Sequence, residues 1–463
     1  MAEKIYQGDF GSALSKTYHP LYPMLIAGLY GLLGDFETSA IIISVLGSTL
    51  ATIPIYYFVH AVWSRTIALI VLLLYAFHPL IVDLHADVMT EGIYIFFISC
   101  AIALIWETIR WMSPVSAILA AFASVCTYLT RVEGIIVIAL FTCWAPLSRL
   151  TGQRAWGKIV LNMLIYYSVV TVLAYPYLVW VRTKTGVWHF TAKHSAIITL
   201  TGEWEPGLDP GRMTQQAQMQ NRYGKVGGTV LFSSKLLLKS ASWIWGPFLI
   251  FYLLFLLPRI FSLKLRQNIP KIYLLTFSLP YIVAVVIGGS RGVDLSYRYF
   301  LTPLLWLSPW AACGITNIGD WLSTRVHGSK RPVIFYLILL SVIISTIPKI
   351  TAPRRLESIG FKEAGLWLNK NTQAEALILT SRQAVGYYAK REIMYMRCRY
   401  EYVVQDCQKR GADYAVFCQK DLAKMDKDFL VKLASNPRFK LIKTFPSKLT
   451  DKTHTVYLFK YIK

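Results

Sequence analysis

The sequence predicts a mainly α, polytopic transmembrane helix bundle followed by a small C-terminal α/β domain. Three observations predict it. Of 463 residues, 55% are hydrophobic and 16% charged, and mean hydropathy is positive at +0.45, a balance that needs lipid rather than water as solvent. Apolar runs long enough to cross about 30 Å of hydrocarbon, roughly 17 to 25 residues each, recur through the first three quarters of the chain. Beyond residue 350 the apolar runs shorten to strand length.

About ten spans are expected, near 39–59, 64–83, 90–107, 113–130, 134–147, 158–181, 243–258, 270–288, 300–318 and 332–349. Leu21 to Leu33, broken by Pro23 and Gly28, is too short to cross and reads as an interfacial helix. Alternate gaps carry Arg65, Arg110, the group Arg149, Arg154 and Lys158, the group Arg259, Lys264, Arg266 and Lys271, and the group Arg325, Lys330 and Arg331. By the positive-inside rule those gaps are cytoplasmic. The loops at 1–38 and 182–242 and the tail are then expected outside. The expected division is 1–349 for the transmembrane domain and 350–463 for a soluble, extracytoplasmic α/β domain. Its strands are expected at Ala376–Thr380, Ala412–Cys418, Phe439–Thr444 and Thr455–Tyr461, with an amphipathic stretch at Asp421–Ala434. The tail has no glycine-rich phosphate loop and no triad spacing, which favours a scaffold or acceptor-docking role over a second active site.

The net charge of +23 is spread over short gaps and the tail, so membrane lipid headgroups rather than nucleic acid are the expected partner. Cys100, Cys126, Cys143 and Cys313 lie in apolar runs as small fillers. Cys398, Cys407 and Cys418 lack disulfide or zinc spacing.

Charge in hydrocarbon costs about 2.5 to 3.5 kcal/mol at mid-membrane on insertion scales, so the span ends where polar residues collect are informative. Four groups collect on the side opposite the basic loops: His19-Pro20-Leu21-Tyr22-Pro23, His85-Ala86-Asp87-Val88-Met89-Thr90-Glu91, Thr130-Arg131-Val132-Glu133-Gly134, and the run from Arg291 to Tyr299. Singly, each has a plain reading: a snorkelling pair for Arg131 and Glu133, an aromatic belt for Tyr297 and Tyr299, a turn for His19, caps for Asp87 and Glu91. Together they predict a polar cavity at the membrane surface. It suits a lipid with an anionic head: arginines for phosphate, carboxylates for proton transfer, aromatics for a sugar.

At these motifs the chain resembles the GT-C membrane glycosyltransferases, specifically the glycosyltransferase family 39 group of protein O-mannosyltransferases and lipid A aminoarabinose transferases. The resemblance rests on His19-Pro20-Leu21-Tyr22-Pro23 followed by Leu33-Gly34, on Asp87 and Thr90-Glu91, on Leu129-Thr130-Arg131-Val132-Glu133-Gly134, and on Tyr297-Arg298-Tyr299-Phe300-Leu301-Thr302-Pro303. Phe361 to Leu368 is similar to the helix that opens the soluble tail of bacterial members. The resemblance implies transfer of a monosaccharide from a polyprenyl-phosphate donor to a lipid, polysaccharide or protein acceptor. The transfer would occur at the outer face of a bacterial inner membrane, with inversion at the anomeric carbon. Arg298, Arg131 and Arg291 are then expected at the donor phosphate, and Glu91 and Asp87 as catalytic acids. His19, Tyr22, Glu133, Tyr297, Tyr299 and His194 are expected at donor or acceptor. No cofactor is expected; a divalent metal is compatible with the wider GT-C group but ligand spacing does not support one. The family's first helix and its acidic residue would precede Met1, which implies a start upstream or a truncated, inactive copy acting as scaffold. A transporter or flippase for a lipid-linked sugar is the alternative class; it predicts charges at mid-membrane, inverted repeats and broken helices.

Overall fold

The computed structural model describes residues 1–14, 18–150, 155–191, 215–256, 265–291, 295–325, 331–352, 356–395, 400–419, 422, 428–446 and 454–462. Two compact units emerge, one from Met1–Trp204 with Gln215–Thr351, the other from Ala352–Lys463.

The first unit is helical throughout. Short helices α1 (Ala2–Tyr6) and α2 (Phe10–Ala13) precede α3 (Leu21–Leu33), α4 (Phe36–Leu50) and α5 (Thr52–Val62). Next come α6 (Arg65–Ala76), α7 (Pro79–His85), α8 (Glu91–Trp111), α9 (Pro114–Thr130), a 3-10 turn at Val132–Gly134, α10 (Ile135–Leu147) and α11 (Trp156–Thr185). The unit closes with α12 (Gln215–Tyr223), α13 (Lys225–Leu256), α14 (Leu265–Ser290), α15 (Arg298–Arg325) and α16 (Arg331–Thr351). Local chemistry sets the boundaries. Gly34, at φ 69°, ends α3 in the left-handed conformation that glycine adopts without strain. Asp35 then caps α4 by accepting the Thr38 N–H at 2.8 Å. Pro79 and Pro114 occupy first-turn positions, where their missing N–H costs nothing. Pro79 also forces His78 into an extended backbone, and α6 and α7 meet at a 62° break.

The described residues of all ten expected segments fall mainly on helices; residues 257–258 lie outside the described residues. Among the described residues, five helices are long and apolar enough to cross a membrane, or six if the bent α6–α7 pair is one span. Helices α9 and α10, of 17 and 13 residues, are short for a 30 Å core. The segment read as an outer loop at 182–242 is helical from Gln215 onward.

The bundle core is aromatic: Phe58, Trp106, Tyr273 and Trp306 meet with ring centroids 5.3 to 6.3 Å apart, and the Tyr273 hydroxyl donates to the Ile102 carbonyl at 2.8 Å. Helices α4 and α8 cross at glycine. A Cβ on Gly92 would lie 2.1 Å from the Ser44 carbonyl oxygen, and one on Gly47 would lie 2.7 Å from the Ile93 Cα. Backbone therefore meets backbone beside Glu91, the first residue of α8.

The second unit is a five-stranded sheet with helices on both faces. Strands β1 (Ile378–Thr380), β2 (Ile393–Tyr395), β3 (Tyr414–Cys418), β4 (Phe439–Phe445) and β5 (Val456–Tyr461) run in the order β2-β1-β3-β5-β4. The first three are parallel, and β5 and β4 are antiparallel additions. Alternation along each strand sends Ile378, Val416 and Leu458 to α17 (Leu356–Asn371) and α18 (Gln383–Ala389). It sends Leu379, Phe417 and Phe459 to α19 (Tyr400–Arg410) and α20 (Phe429–Ser435). Of the expected amphipathic stretch, Phe429–Ser435 forms α20, while residues 420–421 and 423–427 lie outside the described residues. Cys407 and Cys418 are buried; Cys398 lies outside the described residues.

Candidate functional site

Helices α8 and α9 are joined by a tight connection at Met112-Ser113, so the start of α8 and the end of α9 lie at the same end of the bundle. That geometry brings Glu91 and Arg131 together. Glu91 suits a first-turn position because an anion there faces the positive end of the helix dipole. Arg131 leaves α9 in extended backbone. The turn after it folds back so closely that a Cβ on Gly134 would lie 2.5 Å from the Thr127 carbonyl carbon. Only glycine permits that turn, and the turn fixes the direction of Arg131. The third contributor, Arg298, opens α15.

Arg131 is held between two acids, its Nη1 donating to Glu91 Oε1 at 2.6 Å and its Nη2 to Glu133 Oε1 at 3.1 Å. Arg298 Nη1 reaches the same Glu91 Oε1 at a looser 3.5 Å. The second Glu91 oxygen accepts from Thr90 Oγ1 at 3.4 Å. Glu91 and Arg131 are nearly buried, with side chains 8% and 12% exposed, whereas Arg298 is 36% exposed. Arg298 Nε is buried without a hydrogen-bond partner among the described residues. Rings complete the corner: Arg131 lies over Tyr94 at 5.5 Å and Tyr299 at 5.3 Å, and Arg298 lies over Tyr299 at 5.5 Å. A pocket opens here, lined by Glu91, Arg131, Arg298, His85, Tyr94 and Tyr281, with Leu84, Ile95, Leu301 and Thr302. His85 is anchored on its far side, Nδ1 lying 2.6 Å from Ser48 Oγ.

The arrangement is two guanidiniums against two carboxylates. Arg131 has both terminal nitrogens engaged; Arg298 keeps donors available to an incoming anion. Glu91, with one oxygen shared by both arginines, works here as their anchor.

Of the residues expected from the sequence, Glu91, Arg131, Glu133, Arg298 and Tyr299 converge. Asp87 lies outside the pocket and accepts the Val88 N–H at 2.7 Å. Arg291 is exposed just past the end of α14. Tyr297 faces Lys239, whose ammonium sits 4.9 Å from its ring centroid. Tyr22 is 5% exposed and joins α3 to α4 through the Ala40 carbonyl at 3.1 Å and Ser44 Oγ at 2.8 Å. His19 Nε2 lies 3.2 Å from Thr191 Oγ1, with its ring against Tyr128 and Tyr177. His194 lies outside the described residues. Sequence reasoning missed Tyr94, Tyr281 and Thr302. Tyr94 had a signal, since three residues beyond Glu91 places it on the same helix face. Among the described residues no three His, Cys, Asp or Glu side chains gather as metal ligands.

No family model matches the sequence, and no curated protein matches it. Solved structures do. ArnT from Cupriavidus metallidurans in the apo state superposes with a TM-score of 0.57 at 11% identity, covering 99% of this chain and 91% of that one. The same protein bound to undecaprenyl phosphate gives 0.56 at 12%, over the same shares. The archaeal oligosaccharyltransferase AglB from Archaeoglobus fulgidus, in complex with an inhibitory peptide and a dolichol-phosphate, gives 0.54 at 12% identity over 95% of this chain and 66% of that one. Both are GT-C glycosyltransferases, and this chain is built on the GT-C membrane fold, with a small C-terminal sheet domain appended.

Proposed function

We propose that the protein is a glycosyltransferase that moves a monosaccharide from a polyprenyl-phosphate donor to a lipid, glycan or protein acceptor. The carrying observation is Arg298, half-open to the pocket, with a buried Nε that lacks a partner among the described residues and a loose 3.5 Å contact to Glu91. A phosphate oxygen supplies what that guanidinium lacks. The shared fold supports the reading, since one neighbour binds undecaprenyl phosphate and the other a dolichol-phosphate.

In this reaction the bond between the anomeric carbon and a phosphate oxygen breaks as an acceptor oxygen or nitrogen attacks from the opposite face, inverting that carbon. The acceptor passes its proton to solvent water, and the departing polyprenyl phosphate keeps the bonding electrons and gains a negative charge. Arg298 stabilises that charge as it develops, an interaction stronger in the transition state than in the ground state. Glu91 and Glu133 position Arg131, and Glu91 restrains Arg298. Tyr94 and Tyr281 line the pocket, and Tyr299 backs both guanidiniums. The pocket lies opposite the basic loops, which on the positive-inside rule is the outer face of a bacterial inner membrane.

The test is consumption of labelled polyprenyl-phosphate sugars in membranes containing the protein. Arg298→Ala is expected to lower the rate about 100-fold or more while the protein keeps its melting temperature. No consumption by the wild type across hexosyl and pentosyl donors overturns the reading.

A lipid-linked sugar transporter is the second reading, favoured by the 62° break between α6 and α7. It predicts that intact donor crosses the bilayer with its phosphate–sugar bond preserved, which the same labelled pool detects.

A further inference from the structure

Arg298 stands three residues beyond Leu295, at the end of the connection from α14 to α15, and the two described ends of that connection are joined by one side chain. Gln216, on α12 and 4% exposed, donates from Nε2 to the Gly289 carbonyl at 2.9 Å. Its Oε1 accepts the Leu295 N–H, also at 2.9 Å. One amide thus satisfies a carbonyl before the connection and an N–H after it, much as a paired strand would. Gln220, one turn later, adds a 3.3 Å bond to the same Gly289 carbonyl and a 2.7 Å bond to Thr229 Oγ1. There is little slack. A Cβ on Gly289 would lie 2.4 Å from Leu295 Cδ1, and one on Gly228 would lie 2.3 Å from the Met219 carbonyl oxygen. Closer still to the arginine, Ser240 Oγ on α13 donates to the Tyr297 carbonyl at 2.9 Å, and the Ser240 carbonyl meets His78 Nε2 at 2.9 Å.

We propose that Gln216 is a positioning residue for Arg298: its amide staples the Gly289 and Leu295 ends together and sets where α15 begins, and so where the Arg298 guanidinium meets the donor phosphate. The kinetic half of this proposal rests on the transferase reading; the staple itself does not. The amide is specific to the task. Glutamate in its place keeps the acceptor for Leu295 N–H and loses the donor to Gly289, asparagine is one methylene short, and leucine fills the volume with neither bond.

The test measures two quantities in wild type, Gln216→Leu and Gln216→Glu. The first is amide hydrogen exchange of the 289–299 segment in detergent-solubilised full-length protein. The second is KM and kcat for labelled polyprenyl-phosphate sugar. The expected result is exchange about tenfold faster in Gln216→Leu, since two buried bonds are lost, with an intermediate value in Gln216→Glu. KM should rise about tenfold in Gln216→Leu, with a smaller change in kcat and partial rescue by glutamate. Unchanged exchange overturns the staple. Faster exchange with wild-type KM in both variants overturns the positioning role. A wild type that consumes no donor sinks the transferase reading and with it the kinetic role, while the exchange data still decide the staple. Should Gln216→Leu fail to fold, the near-isosteric Gln216→Glu carries both measurements.

Discussion

The two units of this protein spend charge in opposite ways. In the membrane unit, Glu91, Arg131 and Glu133 are drawn out of solvent at helix ends and held in one network with Arg298. In the C-terminal unit both sheet faces pack on almost wholly apolar side chains, and the lysines of β4 and β5 stay exposed. A buried ion pair gives up hydration that its Coulomb attraction only partly restores. A cluster of this kind is therefore poor evidence of stabilisation and better evidence of a task. In the sheet domain Glu357 pairs with His454 at 2.8 Å, outside the two apolar clusters on the sheet's faces.

That contrast can be broken in graded steps. The largest effect is expected for Glu91→Ala, which leaves Arg131 with Glu133 alone in a nearly dry site and frees Arg298. Loss of a partner from a buried pair costs about 3–5 kcal/mol, read as a fall in melting temperature in detergent, and donor consumption should fall with it. A variant as stable as wild type would place the corner in the solvated class of surface pairs. Next comes Gly92→Ala, whose new methyl meets the Ser44 carbonyl oxygen. Overpacking at such a contact costs about 1–3 kcal/mol, and because Glu91 is its neighbour, activity should drop more than stability alone explains. The smallest is Lys440→Glu in the sheet domain. Lys440 sits directly opposite Lys460 in the antiparallel pair of β4 and β5, so reversing one charge should stabilise that domain by about 0.2–1 kcal/mol and leave transfer unchanged. A loss of transfer there would mean that the domain's lysines also serve the reaction.

Much of this was legible in the sequence, for physical reasons that differ by element. Helix ends were readable at Gly34 and Pro114, where residue chemistry enforces them, but the expected span 64–83 ran through Pro79, where the chain bends by 62° between α6 and α7. Four of the five strands were found within about two residues, because alternation survives in short runs such as Ile378–Thr380, whereas the three-residue β2 (Ile393–Tyr395) was missed. In the corner, Glu91, Arg131, Glu133 and Arg298 stood out because charge at a span end is expensive. Tyr94 and Tyr281 did not, since a tyrosine inside an apolar run looks like core filler until a partner helix puts its hydroxyl beside another. Tyr22 entered through the resemblance of its motif, and its hydroxyl ties α3 to α4. Gln216 fell within a stretch read as loop, because a polar helix that packs by side-chain amides carries no apolar stripe.

On the proposed function, the shared oxygen of Glu91 has a consequence for turnover. With two guanidiniums and two carboxylates, the corner is electrically balanced before anything binds. A donor phosphodiester brings one negative charge, while the polyprenyl phosphate left after transfer brings up to two. A site with a large cationic surplus would grip that product harder than the substrate and stall on its own leaving group. On the proposed transfer, Glu91 competes for Arg298, so the carboxylate that aims the arginine also stands ready to reclaim it as the spent carrier leaves.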